Sequence, residues 1–157
     1  MEQSRVKWVS AAMYTLRPAV QADSHTIRAI IRAAQINPLG LDWHRFILAV
    51  DANDKIIGTG QIKPHGDGTR ELASIAVLPA WRGKGVARAI IEHLLAENPG
   101  TLYLTCRAAL EPLYQKFGFH PLSEAELPPY FRRVLRFFNK LIQHGILPEG
   151  PLVMKRG

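Results

Sequence analysis

Residues 75–91 read Ile75-Ala76-Val77-Leu78-Pro79-Ala80-Trp81-Arg82-Gly83-Lys84-Gly85-Val86-Ala87-Arg88-Ala89-Ile90-Ile91. An apolar run stops at Pro79 and a run with helical spacing starts at Val86, so the stretch joins a strand to a helix. Trp81 to Gly85 then lie at a helix N-terminus, where unpaired backbone N–H groups and the positive end of the dipole attract an anion. Glycine at 83 and 85 removes the Cβ atoms that would hold phosphates off the backbone. Taken alone, Gly83-Lys84-Gly85 reads equally well as a flexible turn. It is neither a G-x-x-x-x-G-K loop followed by Ser or Thr nor a G-x-G-x-x-G fingerprint.

Working outward, Tyr14 to Val20 reads as a short strand ending near Pro18. Ala22 to Gln35 reads as a helix, with Asp23 or Ser24 as N-cap and Ile27, Ile30, Ile31 and Ala34 on one face. Asn37-Pro38-Leu39-Gly40 stops it. Phe46 to Val50 and Lys55 to Lys63 form a hairpin about the turn Asp51-Ala52-Asn53-Asp54, and after the break Pro64-His65-Gly66-Asp67-Gly68 a third strand runs from Arg70 to Leu78. The helix Val86 to Glu97 ends at Asn98-Pro99-Gly100. Thr101 to Arg107 follows that helical crossover and is expected parallel to Arg70 to Leu78. Ala109 to Phe117 reads as a short helix closed at a left-handed Gly118. Pro129 to Ile142 reads as an amphipathic helix with Phe131, Val134, Leu135, Phe138, Leu141 and Ile142 on one face, and Pro151 to Lys155 as the last strand. The fold class is α/β in the broad sense, an α+β mixed sheet: an antiparallel meander and then a β-loop-α-β crossover, in a single domain over 1–157.

A chain of 157 residues can bury a core without disulfides or metal. Its one cysteine, Cys106, lies in an apolar strand and reads as a buried, inert thiol in a reducing compartment. No run is long and apolar enough for a membrane span, and the stretch MEQSRVKWVSAAM lacks the apolar core of a signal peptide, so a cytoplasmic protein is expected. The net charge of +7 favours polyanionic partners. Much of it is local, since Arg132, Arg133, Arg136, Lys140, Lys155 and Arg156 face only Glu149 after Tyr130. The C-terminal segment lacks the interleaved aromatics of a base-stacking surface, which counts against a nucleic-acid-binding module. His25, His44, His65, His93, His120 and His144 show no ligand spacing, so no metal is expected.

The run Ile75 to Ile91 resembles the central motif of the GNAT superfamily of acetyl-CoA-dependent N-acetyltransferases: Gln or Arg, two residues, Gly, one residue, then Gly or Ala. Arg82, Gly85 and Ala87 fill those places. Leu113-Tyr114-Gln115-Lys116-Phe117-Gly118-Phe119 is similar to the family's second motif, and the element order matches its fold over nearly the whole chain. The resemblance implies central strands, 70–78 and 101–107, that splay in a V to admit pantetheine. Backbone groups of Ile75, Ala76 and Val77 would then pair with the pantetheine amides. The N–H groups of Arg82, Gly83, Lys84, Gly85, Val86 and Ala87 would cradle the pyrophosphate, with Arg82, Lys84 and Arg88 adding a weaker Coulomb attraction. It also implies Tyr114 as the acid that protonates the departing thiolate. Glu71, which has the strand parity of Ala73 and Ile75, falls where some members keep a general base; a water chain is the alternative. The family's asparagine before the tyrosine helix is absent, positions 107 and 108 being Arg107 and Ala108.

The function implied is acetyl transfer from acetyl-CoA to a primary amine. The C-terminal end is similar to that of amino-acid-acetylating, N-acetylglutamate synthase-like members, which makes a small carboxylate-bearing acceptor the first expectation and Arg132 and Arg133 its grip. A protein or peptide acceptor, or an acetyl-CoA sensor without turnover, are the alternatives. Asn37 to Phe46 and Glu126 to Gly157 are the segments expected to set acceptor choice, with Trp43, His44 and Arg45 as lining residues. Phe131, Phe137 and Phe138 point to more than one side of their helix and suggest a homodimer through that region.

Overall fold

The strands hydrogen-bond in the order β1 (Tyr14–Pro18), β2 (Phe46–Asp51), β3 (Ile56–Pro64), β4 (Arg70–Val77), β5 (Leu102–Cys106), β7 (Leu152–Arg156) and β6 (His120–Pro121). The computed structural model describes residues 13–157. Within MEQSRVKWVSAAM, residues 1–12 lie outside the described residues. Four α-helices are described: α1 (Ser24–Ala33), α2 (Val86–Glu97), α3 (Glu111–Gln115) and α4 (Pro129–Gln143). None is long and apolar enough to cross a membrane. The chain divides into two compact units, one of residues up to Lys63 with Ala73–Asn98 and one of Pro64–Leu72 with Pro99–Gly157.

In the first unit, β1, β2 and β3 form the antiparallel meander, with Leu16 opposite Ala49 and Leu48 opposite Thr59. Ile27, Ile30 and Ile31 recur at helical spacing on α1 and bury themselves against Phe46, Leu48, Val50, Ile56 and Ala76. The helix ends at a left-handed Gln35 (φ 56°), with the Ile36 N–H donating to the Ile31 carbonyl. The other side of β3 meets α2. A Cβ at Gly60 would stand 2.5 Å from Ile90 Cγ2, and one at Gly58 would stand 2.9 Å from Val86 Cγ1. Glycine at 58 and 60 therefore lets α2 close on the strand.

In the second unit, β7 pairs antiparallel with both β5 and β6. Leu127, Phe131 and Val153 form its core with Tyr103, Leu122, Tyr130 and Leu135 around them. Phe137 on α4 stays 60% exposed. β4 and β5 are parallel, with Glu71 opposite Tyr103, as the crossover requires.

Three boundaries differ from the sequence reading. The segment 22–35 opens as a 3-10 turn, Gln21–Asp23, before α1. The helix expected over 109–117 is a 3-10 turn, Ala108–Leu110, and then α3 alone, because Pro112 lacks an N–H and is tolerated only in a first turn. The two-residue β6 is too short to leave a periodic signal.

Candidate active site

In the first unit, the strand-to-helix loop is held by backbone conformation. Gly83 (φ 75°) and Gly85 (φ 80°) are both left-handed, and Gly85 is the N-cap of α2. No side chain among the described residues caps that terminus. The first bond of the helix runs from the Ala89 N–H to the Gly85 carbonyl, so the N–H groups of residues 83–88 meet no backbone acceptor among the described residues, whereas the Arg82 N–H expected to join them already donates to the Pro79 carbonyl at 3.3 Å. Among the described residues, a Cβ on Gly83 would meet nothing within 4 Å, and one on Gly85 only the Tyr14 hydroxyl at 4.0 Å. An uncapped helix start beside open space fits a phosphate-bearing ligand.

The cations expected to help are engaged with the protein. The Arg82 Nε donates to the Val77 carbonyl at 3.3 Å, Lys84 Nζ lies 5.1 Å from the centre of the Trp81 ring, and Arg88 pairs with Glu92 at 3.1 Å. Sequence reasoning missed Tyr14. Its hydroxyl donates to the Gly85 carbonyl at 3.2 Å, and its ring meets Trp81 edge-on at 6.2 Å. Burial, helped by Glu92, raises the Tyr14 hydroxyl above its ordinary value, so it stays a donor.

A second feature of this unit is Ser74, buried in β4 with φ 58°. Its carbonyl accepts from Thr59 Oγ1 at 2.8 Å and its Oγ accepts from Gln61 Nε2 at 2.8 Å. Those bonds hold a left-handed residue that the strand would otherwise reject. Burial still alternates along the strand, with Leu72, Ser74 and Ala76 buried and Glu71, Ala73, Ile75 and Val77 half-buried. Gln61 Nε2 also donates to the Gly40 carbonyl, leaving Oε1 buried without a partner among the described residues.

The second unit holds Glu71. Its Oε1 lies 2.7 Å from His65 Nε2, and the two side chains are only 12% and 10% exposed. The imidazole stacks on Tyr130 at 3.5 Å with the planes 13° apart, and Phe131 meets it edge-on at 5.8 Å. Tyr130 is anchored where its N–H donates to Asp67 Oδ2 at 3.0 Å. The hydroxyl and N–H of Thr69 both donate to Asp67 Oδ1, and this unit holds the Asp67 carboxyl down at about 2, with the Thr69 hydroxyl the leading cause. In the sequence Pro64 to Gly68 reads as a break, which hides this cluster.

Tyr114 is buried at the end of α3, edge-on to Phe119 at 6.2 Å. Burial, reinforced by Cys106, pushes its hydroxyl up to about 12, which keeps the phenol protonated. No group among the described residues hydrogen-bonds that hydroxyl, and no hydrogen bond or ring contact joins Tyr114 to Glu71. Cys106 is itself pushed up to about 11, chiefly by burial, and its thiol donates to Met154 Sδ at 3.7 Å, as expected of an inert thiol.

Of the expected acceptor residues, Arg132 donates to the Leu127 carbonyl at 3.0 Å, while Arg133 is exposed and joins no ion pair among the described residues. Trp43 stacks on His44 at 3.6 Å, and His44 Nδ1 lies 2.6 Å from Asp42 Oδ1. Ile75, Ala76 and Val77 occupy β4 after Ser74, and Val86 and Ala87 form the first turn of α2.

A family model described as an acetyltransferase (GNAT) domain matches residues 42–121. A PhoH-like protein of Mycobacterium tuberculosis (strain ATCC 25618 / H37Rv) is 30% identical over 133 residues, which are 80% of this chain and 34% of that protein. A mycothiol acetyltransferase of Saccharopolyspora erythraea is 33% identical over 88 residues, 50% of this chain and 29% of its own length. The chain thus spans about a third of the curated relatives it matches. Among solved structures, N-acetylglutamate synthase from Neisseria gonorrhoeae complexed with coenzyme A and L-arginine superposes with a TM-score of 0.71, at 19% identity, over 92% of this chain and 33% of that one. Rv2747 from Mycobacterium tuberculosis, in complex with CoA and NLQ, does so with a TM-score of 0.68, at 21% identity, over 90% and 97%. At these identities the superpositions establish a shared fold, the mixed α/β sheet expected from the sequence.

Proposed function

We propose, from the premise that the chain belongs to the acetyltransferase (GNAT) family, that it moves the acetyl group of acetyl-CoA to the primary amine of a small acceptor, an amino acid or another carboxylate-bearing amine. The observation that carries the reading is the uncapped start of α2 behind left-handed Gly83 and Gly85, with open space beside Gly83. The N–H groups of Gly83, Lys84, Gly85, Val86 and Ala87 hold the pyrophosphate, and backbone groups of Ile75, Ala76 and Val77 pair with the pantetheine amides.

Acetyl-CoA supplies a thioester carbonyl; the new C–N bond forms there and the C–S bond breaks. Glu71 takes the proton that the amine must lose. Tyr114, which burial keeps protonated, gives a proton to the departing thiolate. Arg133 and Arg132 supply positive charge for an acceptor carboxylate, Arg133 being the less engaged of the two. The chain is expected to act in the cytoplasm, as one domain, without metal, and as a homodimer through the exposed Phe137 face of α4.

The test is thiol release from acetyl-CoA across a panel of amines, repeated with Tyr114→Phe. Acid–base groups of this kind contribute about 100-fold or more, so turnover falling by about that factor, with acetyl-CoA binding intact, supports the reading. Binding without turnover of any amine would make the chain a sensor instead. Peptide amines acetylated in preference to amino acids would overturn the small-acceptor assignment.

A further inference from the structure

We propose that His65 is the positioning residue of the base: its Nε2–H donates to Glu71 Oε1, holding that carboxylate in one orientation, while Tyr130 at the start of α4 holds the imidazole. This rests on the acetyl-transfer reading and adds to it a residue and a helix that the family motifs do not include.

A carboxylate only 12% exposed has lost most of its water and needs a donor in its place. The single donor it meets among the described residues is His65, at 2.7 Å. The imidazole is itself fixed from two further directions, by the near-parallel Tyr130 ring at 3.5 Å and the perpendicular Phe131 ring at 5.8 Å. An isolated His–Glu contact on a turn needs no such clamp. Tyr130 is fixed in turn by its backbone bond to Asp67, in the same loop as His65. The loop and the first turn of α4 thus form a closed chain of contacts whose end point is one carboxylate oxygen. The other charges around it are Asp67, in the same loop as His65, Arg133, which acts on the Tyr130 hydroxyl, and Lys155, which lies 6.0 Å from the Tyr103 ring opposite Glu71.

This gives α4 a role other than the one its arginines suggest. Its apolar first turn, Tyr130-Phe131, supports the base, and its cations need not touch it. The proton lost by the amine goes to Glu71; His65 keeps its own proton and fixes the direction of the carboxylate.

Two measurements test this on the full chain. In proton NMR at neutral pH, the His65 Nε2–H should appear as a slowly exchanging downfield resonance that Glu71→Ala abolishes; its absence, or its survival in Glu71→Ala, overturns the pairing. In pH profiles of kcat/KM with an amine the wild type accepts, His65→Phe should lower kcat about tenfold or more. Losing a donor makes the carboxylate easier to protonate, so the acidic limb should move to higher pH. His65→Gln, which keeps a donor, should restore part of both effects, and KM for acetyl-CoA should not change. Should His65→Phe fail to fold, Tyr130→Ala frees the imidazole and should move the same limb, while Tyr130→Phe keeps the stack and should not. An acidic limb unmoved in these variants overturns the inference and leaves acetyl transfer standing. A wild type that acetylates no amine overturns acetyl transfer and the base with it.

Discussion

Replacing Gly83 by alanine separates what the loop needs for folding from what it needs for binding. Gly83 sits at φ 75°, where a non-glycine residue costs roughly 1–2 kcal/mol. Its added Cβ would meet no atom of the described residues within 4 Å, so they add no steric cost to that. A chain of this size loses about 2–4 °C of thermal midpoint per kcal/mol, which puts the fall at about 2–8 °C. Gly145 is the matched control: it too is left-handed, at φ 72°, with nothing within 4 Å of its would-be Cβ, and it lies beyond the end of α4. Gly145→Ala should therefore lose a similar amount of stability. The two should part company in calorimetric titration with coenzyme A. In Gly83→Ala the methyl stands where phosphate must approach the backbone, and losing one hydrogen bond to a charged group costs about 1.5–3 kcal/mol, an affinity loss of about tenfold or more. Gly145→Ala should bind as the wild type does. Equal coenzyme A affinity in the two variants would refute the phosphate-cradle reasoning, whatever their thermal midpoints.

Tyr14→Phe removes the hydroxyl that reaches the Gly85 carbonyl and should cost about 1 kcal/mol, read as a fall of about 2–4 °C in thermal midpoint. Arg88→Ala should leave coenzyme A affinity within about twofold, because Arg88 is exposed and paired with Glu92; a loss of tenfold would show the cation acting on phosphate. Asp67 adds a pH dependence. Its carboxyl, held at about 2 against an ordinary 3.8, stabilises the fold above the unfolded value and loses that contribution as pH falls through the folded one. The gap in thermal midpoint between wild type and Asp67→Asn should therefore be full near pH 5 and close between about pH 4 and about pH 2, and a gap that does not change with pH would count against the Thr69 contacts.

The fold was legible where one residue type repeats with one period. Ile27, Ile30 and Ile31 announce α1, and the strand–Gly–helix passage announces the loop. Legibility failed wherever a residue acts at a distance that no period encodes. Alternation places Tyr14 on a strand face, yet it cannot say that its hydroxyl meets a carbonyl 71 residues away. Ser74 is an ordinary strand residue by propensity, and its left-handed backbone depends on Thr59 and Gln61 from a neighbouring strand. His65 was hidden by its surroundings, since Pro64, Gly66 and Gly68 spell a turn and a turn is read as punctuation. The partial signal was present in Asp67-Gly68-Thr69, whose Asp and Thr side chains fix their own backbone and so mark an ordered loop.

The two parts of the proposed site are therefore built by different means, with different consequences for substitution. The phosphate loop works through backbone N–H groups, which every residue type supplies, so the side chains at 82, 84 and 88 can vary while the conformations at 83 and 85 cannot. That is why a short motif of glycines is readable from one sequence. The base is an assembly of side chains, in which His65, Glu71 and Tyr130 each determine the setting of the next. Such a network leaves no spacing rule, because its members come from a loop, a strand and a helix. A chain could keep the loop and lose the base without any motif recording the change, so retention of His65 and Tyr130 beside Glu71 is a better mark of a proton-accepting site than Glu71 alone.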